Sequence, residues 1–457
     1  MRVGVRVAAT ALALAALAAC AALALRTHPP ALLRIGANYA AQIVCSNVFL
    51  AGRDPEEVLQ TDVQAPGSPL LRLIRISIDR RRGVVRANLF GFIGGGVSVE
   101  RPGRGCTAIP DGHWRAFLAR QTATPAAPVA APGGLWPEGN RLQTDPRLQA
   151  IVDAPALAGA GWRAIVVVHD GRIVAERYAP GFGTATPLLG WSMTKSVVAG
   201  LIGVLVGEGR LSLDESAGLG KTKRDPRAAI RIEDLMSMTS GLRFDESYGT
   251  VSDATRMLFL EPDMAAYAAS QPLAHPVGRY WSYSSGSAMI LTRLYQRAAG
   301  AHPRQFARAH LFAPIGMRSA TFESDEHGTL VGSSYLYATA RDWARYAELL
   351  LQGGAWNALQ VLPRAYVAAM TAPVGPSGGQ YGAGMVWRYA ATPLAPGVDP
   401  DRAFGIPSDA FWMEGYDGQR IAIIPSRSLV VLRMGLTPSR ERYQPQPLVA
   451  ALLDALR

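Results

Sequence analysis

The chain has 457 residues, of which 49% are hydrophobic and 18% charged, and its formal net charge at pH 7 is +11. This composition excludes a wholly disordered chain, and the length predicts more than one folded unit. The arginines are scattered and the longest basic run spans only residues 80–82, so no nucleic-acid partner is predicted.

The first segment, residues 1–30, predicts export. Two arginines precede an almost unbroken apolar stretch at residues 7–25, which a third arginine and two prolines follow. That length lies between an ordinary signal-peptide core and a membrane-spanning helix, so a cleaved signal and a retained anchor are both open. Cys20 follows Leu-Ala-Ala, as in a lipobox, which adds lipidation as a third interpretation. All three place the remainder in the periplasm or cell envelope.

Residues 31–120 predict a small α/β module. A helix and loop are expected at about 37–63, followed by strands at 70–78 and 84–99, with the glycines at 94–96 breaking the last strand. Cys45 and Cys106 form an even pair in this module, and in an exported chain a disulfide between them competes with two buried thiols. The seven histidines lie far apart along the chain, so no metal site is predicted.

Residues 121–138 are rich in proline, alanine and glycine, which predicts a linker, and the second unit is expected to span 139–457. Two β-branched runs flank Asp170-Gly171, a strong hairpin signal, and a second hairpin is predicted at 420–433. The intervening pattern is mainly helical. We therefore expect a sheet built from the first and last segments of this unit, with helices inserted between them.

Lysine occurs three times in the chain, against forty-three arginines, and one of the three is Lys195 in the sequence Trp-Ser-Met-Thr-Lys. Only lysine can serve as a base, since arginine is always protonated. An apolar helix follows, with Ser192 at its N-terminus and the lysine one turn later on the same face. Ser192 as a simple helix cap is the alternative, but a cap needs no lysine on an apolar helix.

This S-x-x-K motif resembles that of the serine β-lactamase and penicillin-binding-protein superfamily, and more closely the class C branch that includes the nylon-oligomer (aminohexanoate-dimer) hydrolases. Further segments resemble the branch in the same order along the chain. They lie at residues 174–178, 209–215, 235–242, 276–286, 338–345 and 415–419. The resemblance implies an α+β fold, a β-lactamase/transpeptidase-like antiparallel sheet flanked by helices with a helical subdomain, here preceded by the α/β module.

The resemblance also implies roles for further residues. Tyr283 matches the tyrosine of the Tyr-x-Asn motif, which shares the proton transfer with the lysine through its phenolate, and Ser285 replaces the asparagine. Gly415 would let substrate approach the flanking strand, and the backbone N–H of Tyr416 would join that of Ser192 in an oxyanion hole.

The third motif departs from the family pattern. Met413 stands where the family has a lysine or histidine that helps to hold the substrate carboxylate, and a methionine cannot replace that cation. Hydrolysis of an ester or amide that lacks this carboxylate is therefore favoured over antibiotic hydrolysis. Arg433 or Glu414 could bind substrate instead, although charges at strand ends are usually solvated.

The sequence thus predicts an exported serine hydrolase that acts on a small ester or amide through an acyl-enzyme on Ser192, with Lys195 and Tyr283 as acid and base and no cofactor. A D-alanyl carboxypeptidase or β-lactamase of the same mechanism, or a non-catalytic envelope binding protein on this fold, is the alternative. A membrane tether through residues 7–25 or Cys20 is expected, and the oligomeric state is left open.

A second candidate nucleophile is Ser377, which lies in a G-x-S-x-G match. Glycine and proline surround it, and this pattern predicts a loop instead of a nucleophile turn.

Overall fold

The computed structural model describes residues 2–120, 133–220, 222, 224–390 and 398–457, with the backbone alone at 2–9, 18 and 21. It forms two compact units, the first of Met1–Arg101, Cys106–Ala123 and Ser247–Pro262 and the second of Pro102–Gly105, Thr124–Glu246 and Asp263–Arg457. The domain bounds expected from the sequence remain a prediction, and residues 121–132 of the expected linker lie outside the described residues.

The helices run in chain order as α1 (Arg2–Thr27), α2 (Ala31–Phe49), α3 (Pro55–Val58), α4 (Trp114–Ala119), α5 (Pro146–Val152), α6 (Pro155–Ala158), α7 (Met193–Gly207), α8 (Ile232–Met236), α9 (Asp253–Leu260), α10 (Met264–Ser270), α11 (Ser285–Ala299), α12 (Pro303–Ala307), α13 (Ala340–Leu351), α14 (Arg364–Met370) and α15 (Gln446–Ala455). A short 3-10 helix at Pro69–Leu73 is used below.

The strands are β1 (Ile74–Asp79), β2 (Val84–Leu89), β3 (Ile93–Arg101), β4 (Gly105–Ala108), β5 (Trp162–His169), β6 (Arg172–Tyr178), β7 (Leu188–Leu189), β8 (Thr321–Phe322), β9 (Leu336–Ala338), β10 (Ala355–Trp356), β11 (Leu359–Gln360), β12 (Tyr381–Gly382), β13 (Val386–Trp387), β14 (Phe411–Gly415), β15 (Gln419–Ile424) and β16 (Leu429–Gly435).

In the first unit α2 packs on a four-stranded sheet in the order β1-β2-β3-β4. The expectation that the glycines at 94–96 end a strand was wrong, because they lie inside β3. A Cβ built on Gly96 would lie 2.2 Å from the carbonyl oxygen of Ala37, and one on Gly94 would lie 2.9 Å from the Ala37 side chain. The glycines therefore let α2 approach the strand closely. The strand break falls instead at the turn that contains Phe90 and Phe92.

Cys45 on α2 and Cys106 in the four-residue strand β4 are joined by a disulfide. The bond closes a sequence separation of 61 residues and fixes the helix to the edge of the sheet. A bridge over a loop of this length stabilises a small domain by several kcal/mol, about 4 in the chain-entropy account.

The second unit is built on a seven-stranded antiparallel sheet in the order β12-β13-β14-β15-β16-β5-β6. Both predicted hairpins are present, β5–β6 and β15–β16. Asp170 and Gly171 turn the first one with φ of 48° and 70°, the left-handed conformation that a tight hairpin turn needs. The C-terminal strand β16 pairs with β5, so the expected sheet of first and last segments is confirmed.

Helices cover both faces of this sheet. On one face α5 and α15 pack over a core that includes Ile165, Val167 and Trp412. On the other face α13 lies against β16 and β5, and α7 lies against β14. Residues 193–205 of α7 are buried on every side. The N-terminus of α7 is thus held beside the C-terminal end of β14.

The N-terminal helix α1 is long and apolar enough to cross a membrane. Its 18-residue window Thr10–Thr27 has a mean hydropathy of 1.8 and contributes nothing to the protein interior. An exported protein's signal and a membrane anchor share these properties. Cys20 is exposed on this helix with a free thiol.

Candidate active site

Ser192 occupies the N-cap position of α7, directly after Trp191. Trp191 has a φ of 47°, a left-handed conformation that is strained for a bulky residue and costs about 1 kcal/mol or more. Its buried ring packs between Tyr335 and Tyr416, at centroid distances of 5.9 and 5.8 Å. Packing of the indole therefore holds the turn that presents Ser192 at the start of the helix.

Two glycines allow the strand end and the serine to come together. A Cβ built on Gly415, the last residue of β14, would lie 2.3 Å from the carbonyl oxygen of Gly190. A Cβ on Gly190 would in turn lie 2.2 Å from the ring of Trp343. Neither position has room for a side chain. Because both residues are glycines, the backbone at Gly415, just before Tyr416, lies against the backbone at Gly190, close to Ser192.

Lys195 lies one turn along α7 and is fully buried. Its Nζ donates to Ser192 Oγ over 2.8 Å and to the carbonyl oxygen of Ser333 over 3.0 Å. Burial lowers the pKa of Lys195 to about 8, while the carboxylate of Glu246 opposes that shift. The Ser192 hydroxyl makes no capping bond to α7 and instead contacts the amine. A buried amine with this pKa can accept the serine proton near neutral pH.

Tyr283 completes the group around the serine. Its phenol interacts with the Ser192 side chain, and Lys195 Nζ lies 4.8 Å from the centre of its ring. The ring stacks on Trp387 at 5.5 Å and meets Tyr381 edge-on at 5.9 Å. Burial, and then the Glu246 carboxylate, raise the pKa of Tyr283 far above that of a free phenol. Both effects favour the neutral phenol over the phenolate that the resemblance implies, and the role of Tyr283 in proton transfer stays a prediction.

Ser285, the first residue of α11, is held by Glu246. The carboxylate accepts hydrogen bonds from the Ser285 backbone N–H over 2.7 Å and from its hydroxyl over 2.5 Å. A carboxylate is favoured at this helix N-terminus by the exposed N–H groups. Reasoning from the sequence missed Glu246, which follows the 235–242 segment in a loop where acidic residues are common. Its influence on Lys195 and Tyr283 makes it part of the site.

The side chains of the third motif lie on alternate faces of β14. Met413 is buried and shares a face of β14 with Gly415, whereas Trp412 points into the opposite core. Glu414 is buried, and its Oε1 lies 3.6 Å from Nε of Arg420. The expectation of a solvated charge at this strand end was therefore wrong. Tyr416 follows the strand and is 42% exposed.

Arg433 is also buried, and its hydrogen bonds are made to other groups of the protein. Its guanidinium donates to the carbonyl oxygens of Ala158, Ala160 and Gly418 and to the Thr437 hydroxyl. Burial lowers its pKa to about 10.

Ser377, the serine of the G-x-S-x-G match, forms a local hydrogen bond, since its hydroxyl donates to the Val374 carbonyl over 2.6 Å. Among the described residues no group of three His, Cys, Asp or Glu side chains could hold a metal.

The pH dependence of catalysis should report the amine of Lys195. With the neutral amine of Lys195 as the predicted base, kcat/KM is expected to rise with pH through an apparent pKa near 8. The Glu246 carboxylate favours the protonated amine, so Glu246→Gln should lower that pKa and move the rising limb to lower pH. Stopped-flow or steady-state rates with an activated ester, recorded from about pH 5 to about pH 10, would measure the shift.

A matched control is Asp245→Asn, which removes an exposed carboxylate next in sequence. The pH profile of this variant should overlay that of the unmodified protein, because Glu246 is the carboxylate that acts on the amine. A rising limb that stays in place in Glu246→Gln, or moves equally in Asp245→Asn, would contradict this account.

Comparison with known proteins agrees with this geometry. The family model described as Beta-lactamase matches residues 147–452, which is more than half of the chain. The chain belongs to the beta-lactamase family. The family resemblance and the fold class predicted from the sequence are therefore confirmed.

Individual relatives are distant. The 6-aminohexanoate-dimer hydrolase of Paenarthrobacter ureafaciens is 24% identical over 274 residues, which is 55% of this chain and 65% of that protein, just under two thirds. A putative 6-aminohexanoate-dimer hydrolase from Bacillus anthracis shares the fold with a TM-score of 0.52, 22% identity, and coverage of 65% of this chain and 78% of that one. A penicillin-binding-protein homologue from Caulobacter crescentus has a TM-score of 0.54 at 18% identity, covering 69% and 98%.

Proposed function

We propose that this protein is an exported hydrolase that cleaves an ester or amide bond through an acyl-enzyme on Ser192. The observation that carries the proposal is the 2.8 Å contact between the hydroxyl of Ser192 and the buried amine of Lys195. A serine at a helix N-terminus next to a base of lowered pKa is an activated nucleophile.

The residues divide the proton transfers between them. Lys195 takes the hydroxyl proton as Ser192 Oγ bonds to the carbonyl carbon of the substrate. The oxyanion accepts hydrogen bonds from the backbone N–H groups of Ser192 and Tyr416. As the bond to the leaving group breaks, the phenol of Tyr283 donates its proton to the departing oxygen or nitrogen and recovers one from the Lys195 ammonium. Water then attacks the ester carbon and releases the acid.

The surroundings of the serine favour a substrate without a carboxylate on its leaving group. Met413 supplies no cation, Arg433 is committed to main-chain carbonyl oxygens, and Glu246 and Glu414 both act on Tyr283 as negative charges. Arg420 also acts on Tyr283, but it lies 3.6 Å from Glu414, which offsets its charge, so an added anion would meet net repulsion. The aromatic rings of Tyr381 and Trp387 beside Tyr283 favour an apolar group.

The experiment compares two hexanoate esters whose phenolic leaving groups carry either a 4-carbamoyl or a 4-carboxylate substituent. The neutral ester should have a kcat/KM at least about tenfold higher, the value of one lost charged contact. Benzylpenicillin should be a poorer substrate than either, and hexanoyl anilide shows whether an amide is cleaved. A folded protein that turns over no ester or amide, or that prefers benzylpenicillin, would overturn the proposal.

Export is part of the proposal. The apolar helix α1 at the N-terminus and the disulfide Cys45–Cys106 both suit a chain that works outside the cytoplasm. We favour retention of α1 as a membrane anchor, since its apolar window is long enough to span a bilayer.

A further inference from the structure

Three segments of the first unit meet at the beginning of α2. A Cβ built on Gly36 would lie 3.1 Å from the side chain of Leu71 in the 3-10 helix Pro69–Leu73. The backbone N–H of Phe90, in the turn between β2 and β3, donates to the carbonyl oxygen of Leu73 over 2.9 Å. The helix start, the 3-10 helix and the β2–β3 turn are therefore neighbours on one end of the unit.

Each of the three segments exposes large apolar side chains at this end. The exposed fractions are 58% for Phe90, 44% for Phe92, 42% for Leu70 and 40% for Leu32. Single exposed apolar residues are ordinary, but a cluster of four, two of them phenylalanines, is typical of an interaction site. We call these four residues the apolar tip.

The backbone at the tip argues for a selected role of the aromatic rings. Phe90 has a φ of 52°, a left-handed conformation that glycine or asparagine adopts readily and a phenylalanine adopts with strain. The turn would form more easily with a small residue there. A phenylalanine that is both strained and exposed gains nothing from the fold, so its value lies in what it contacts.

The three segments that make up the tip carry charge of one sign. Residues 26–38, 64–75 and 88–97, which make up the three segments, contain no aspartate or glutamate. They carry four arginines, of which Arg26, Arg72 and Arg75 are exposed, while the half-buried Arg34 donates to the carbonyl oxygen of Pro110. Exposed apolar side chains on segments whose only charged groups are cations match a membrane interface with anionic headgroups.

The tip lies close in sequence to α1, the candidate membrane span. α1 ends at Thr27 and α2 begins at Ala31, so only three residues separate the candidate membrane span from the helix that carries Leu32. α1 also contacts β3, the strand that follows Phe92. The tip thus lies where the chain would leave the bilayer.

We infer that the apolar tip docks into the surface of an anionic bilayer beside α1, with Phe90, Phe92 and Leu70 among the acyl chains and the arginines at the headgroups. This second contact fixes the orientation of the first unit on the membrane. The inference rests on the proposed retention of α1.

The test uses the full chain with Cys20→Ala, reconstituted in vesicles of phosphatidylethanolamine and phosphatidylglycerol, and a nitroxide label on a cysteine placed by Phe92→Cys. The control is Arg81→Cys, in the turn at the opposite end of β2. Electron paramagnetic resonance power saturation should give the label at 92 a several-fold higher ratio of oxygen to nickel-chelate accessibility than the label at 81. Adding Phe90→Asp should return the label at 92 to water.

Resistance to alkaline carbonate extraction, measured on the same samples, reports α1 separately. Protein that resists extraction while the label at 92 is as water-exposed as the label at 81 would overturn docking of the tip and leave the anchor standing. Protein released by carbonate would overturn both. A label at 92 that is protected equally without lipid would point to a protein partner and would also overturn the inference. Ester hydrolysis tests the proposed catalysis independently of all three outcomes.

Discussion

Ser192→Ala is expected to lower ester turnover by about 10⁴-fold or more, because the variant has no atom that can form the acyl-enzyme. The hydroxyl it removes is the one that Lys195 and Tyr283 both contact. Covalent labelling by a fluorophosphonate should disappear with the activity. Intact-protein mass spectrometry after probe treatment, run beside the rate measurement, checks both results.

Ser377→Ala is the matched control for this substitution. Ser377 lies in the G-x-S-x-G match, and its hydroxyl is bonded to the Val374 carbonyl and to the Tyr381 backbone N–H. The control variant should keep probe labelling and most of its activity. Labelling that survives in Ser192→Ala and is lost in Ser377→Ala would move the nucleophile to the other serine.

Lys195→Met should separate activity from stability. Methionine fits the volume of the buried lysine without an ionisable group, so the base is lost and kcat should fall by about 10³-fold or more. Burial of the amine is unfavourable, as its lowered pKa indicates, so Tm should be equal to or higher than that of the unmodified protein. Differential scanning calorimetry and single-turnover kinetics would measure the two effects.

Lys195→Arg provides the companion test, since it keeps a cation that cannot act as a base. It should be as inactive as the methionine variant but less stable, because a larger charged group must occupy a fully buried position. Substantial turnover in the methionine variant would show that Tyr283, or water, removes the serine proton. A large fall in Tm of that variant would show instead that the amine holds the structure together through Ser333.

Local patterns predicted the sheet and the central helix well. The Asp170-Gly171 turn and the apolar length of α7 each depend on neighbours in sequence, and both were found as expected. Glu246 could not be found this way, because its role comes from Ser285 and Lys195, which the fold brings to it from distant parts of the chain.

Glycine was the ambiguous signal. The run at 94–96 was taken for a strand end, yet it lies within β3, where the close approach of α2 leaves no room for side chains. The actual turn uses Phe90, which local preference would not place there. Tyr283 lies next to Lys195, and its surroundings could not be predicted from local sequence, since the burial that raises its pKa involves Trp387 and Tyr381 from another segment.

The pairing of β16 with β5 has a consequence for biogenesis. Leu429 pairs with His169, so the central sheet cannot close until almost the whole second unit has been synthesised. Contacts between such distant residues make folding slow, because the loop between them must be closed before the pairing stabilises it. Until β16 is available the second unit lacks its central sheet, so its apolar strands stay unpaired and prone to aggregation during folding.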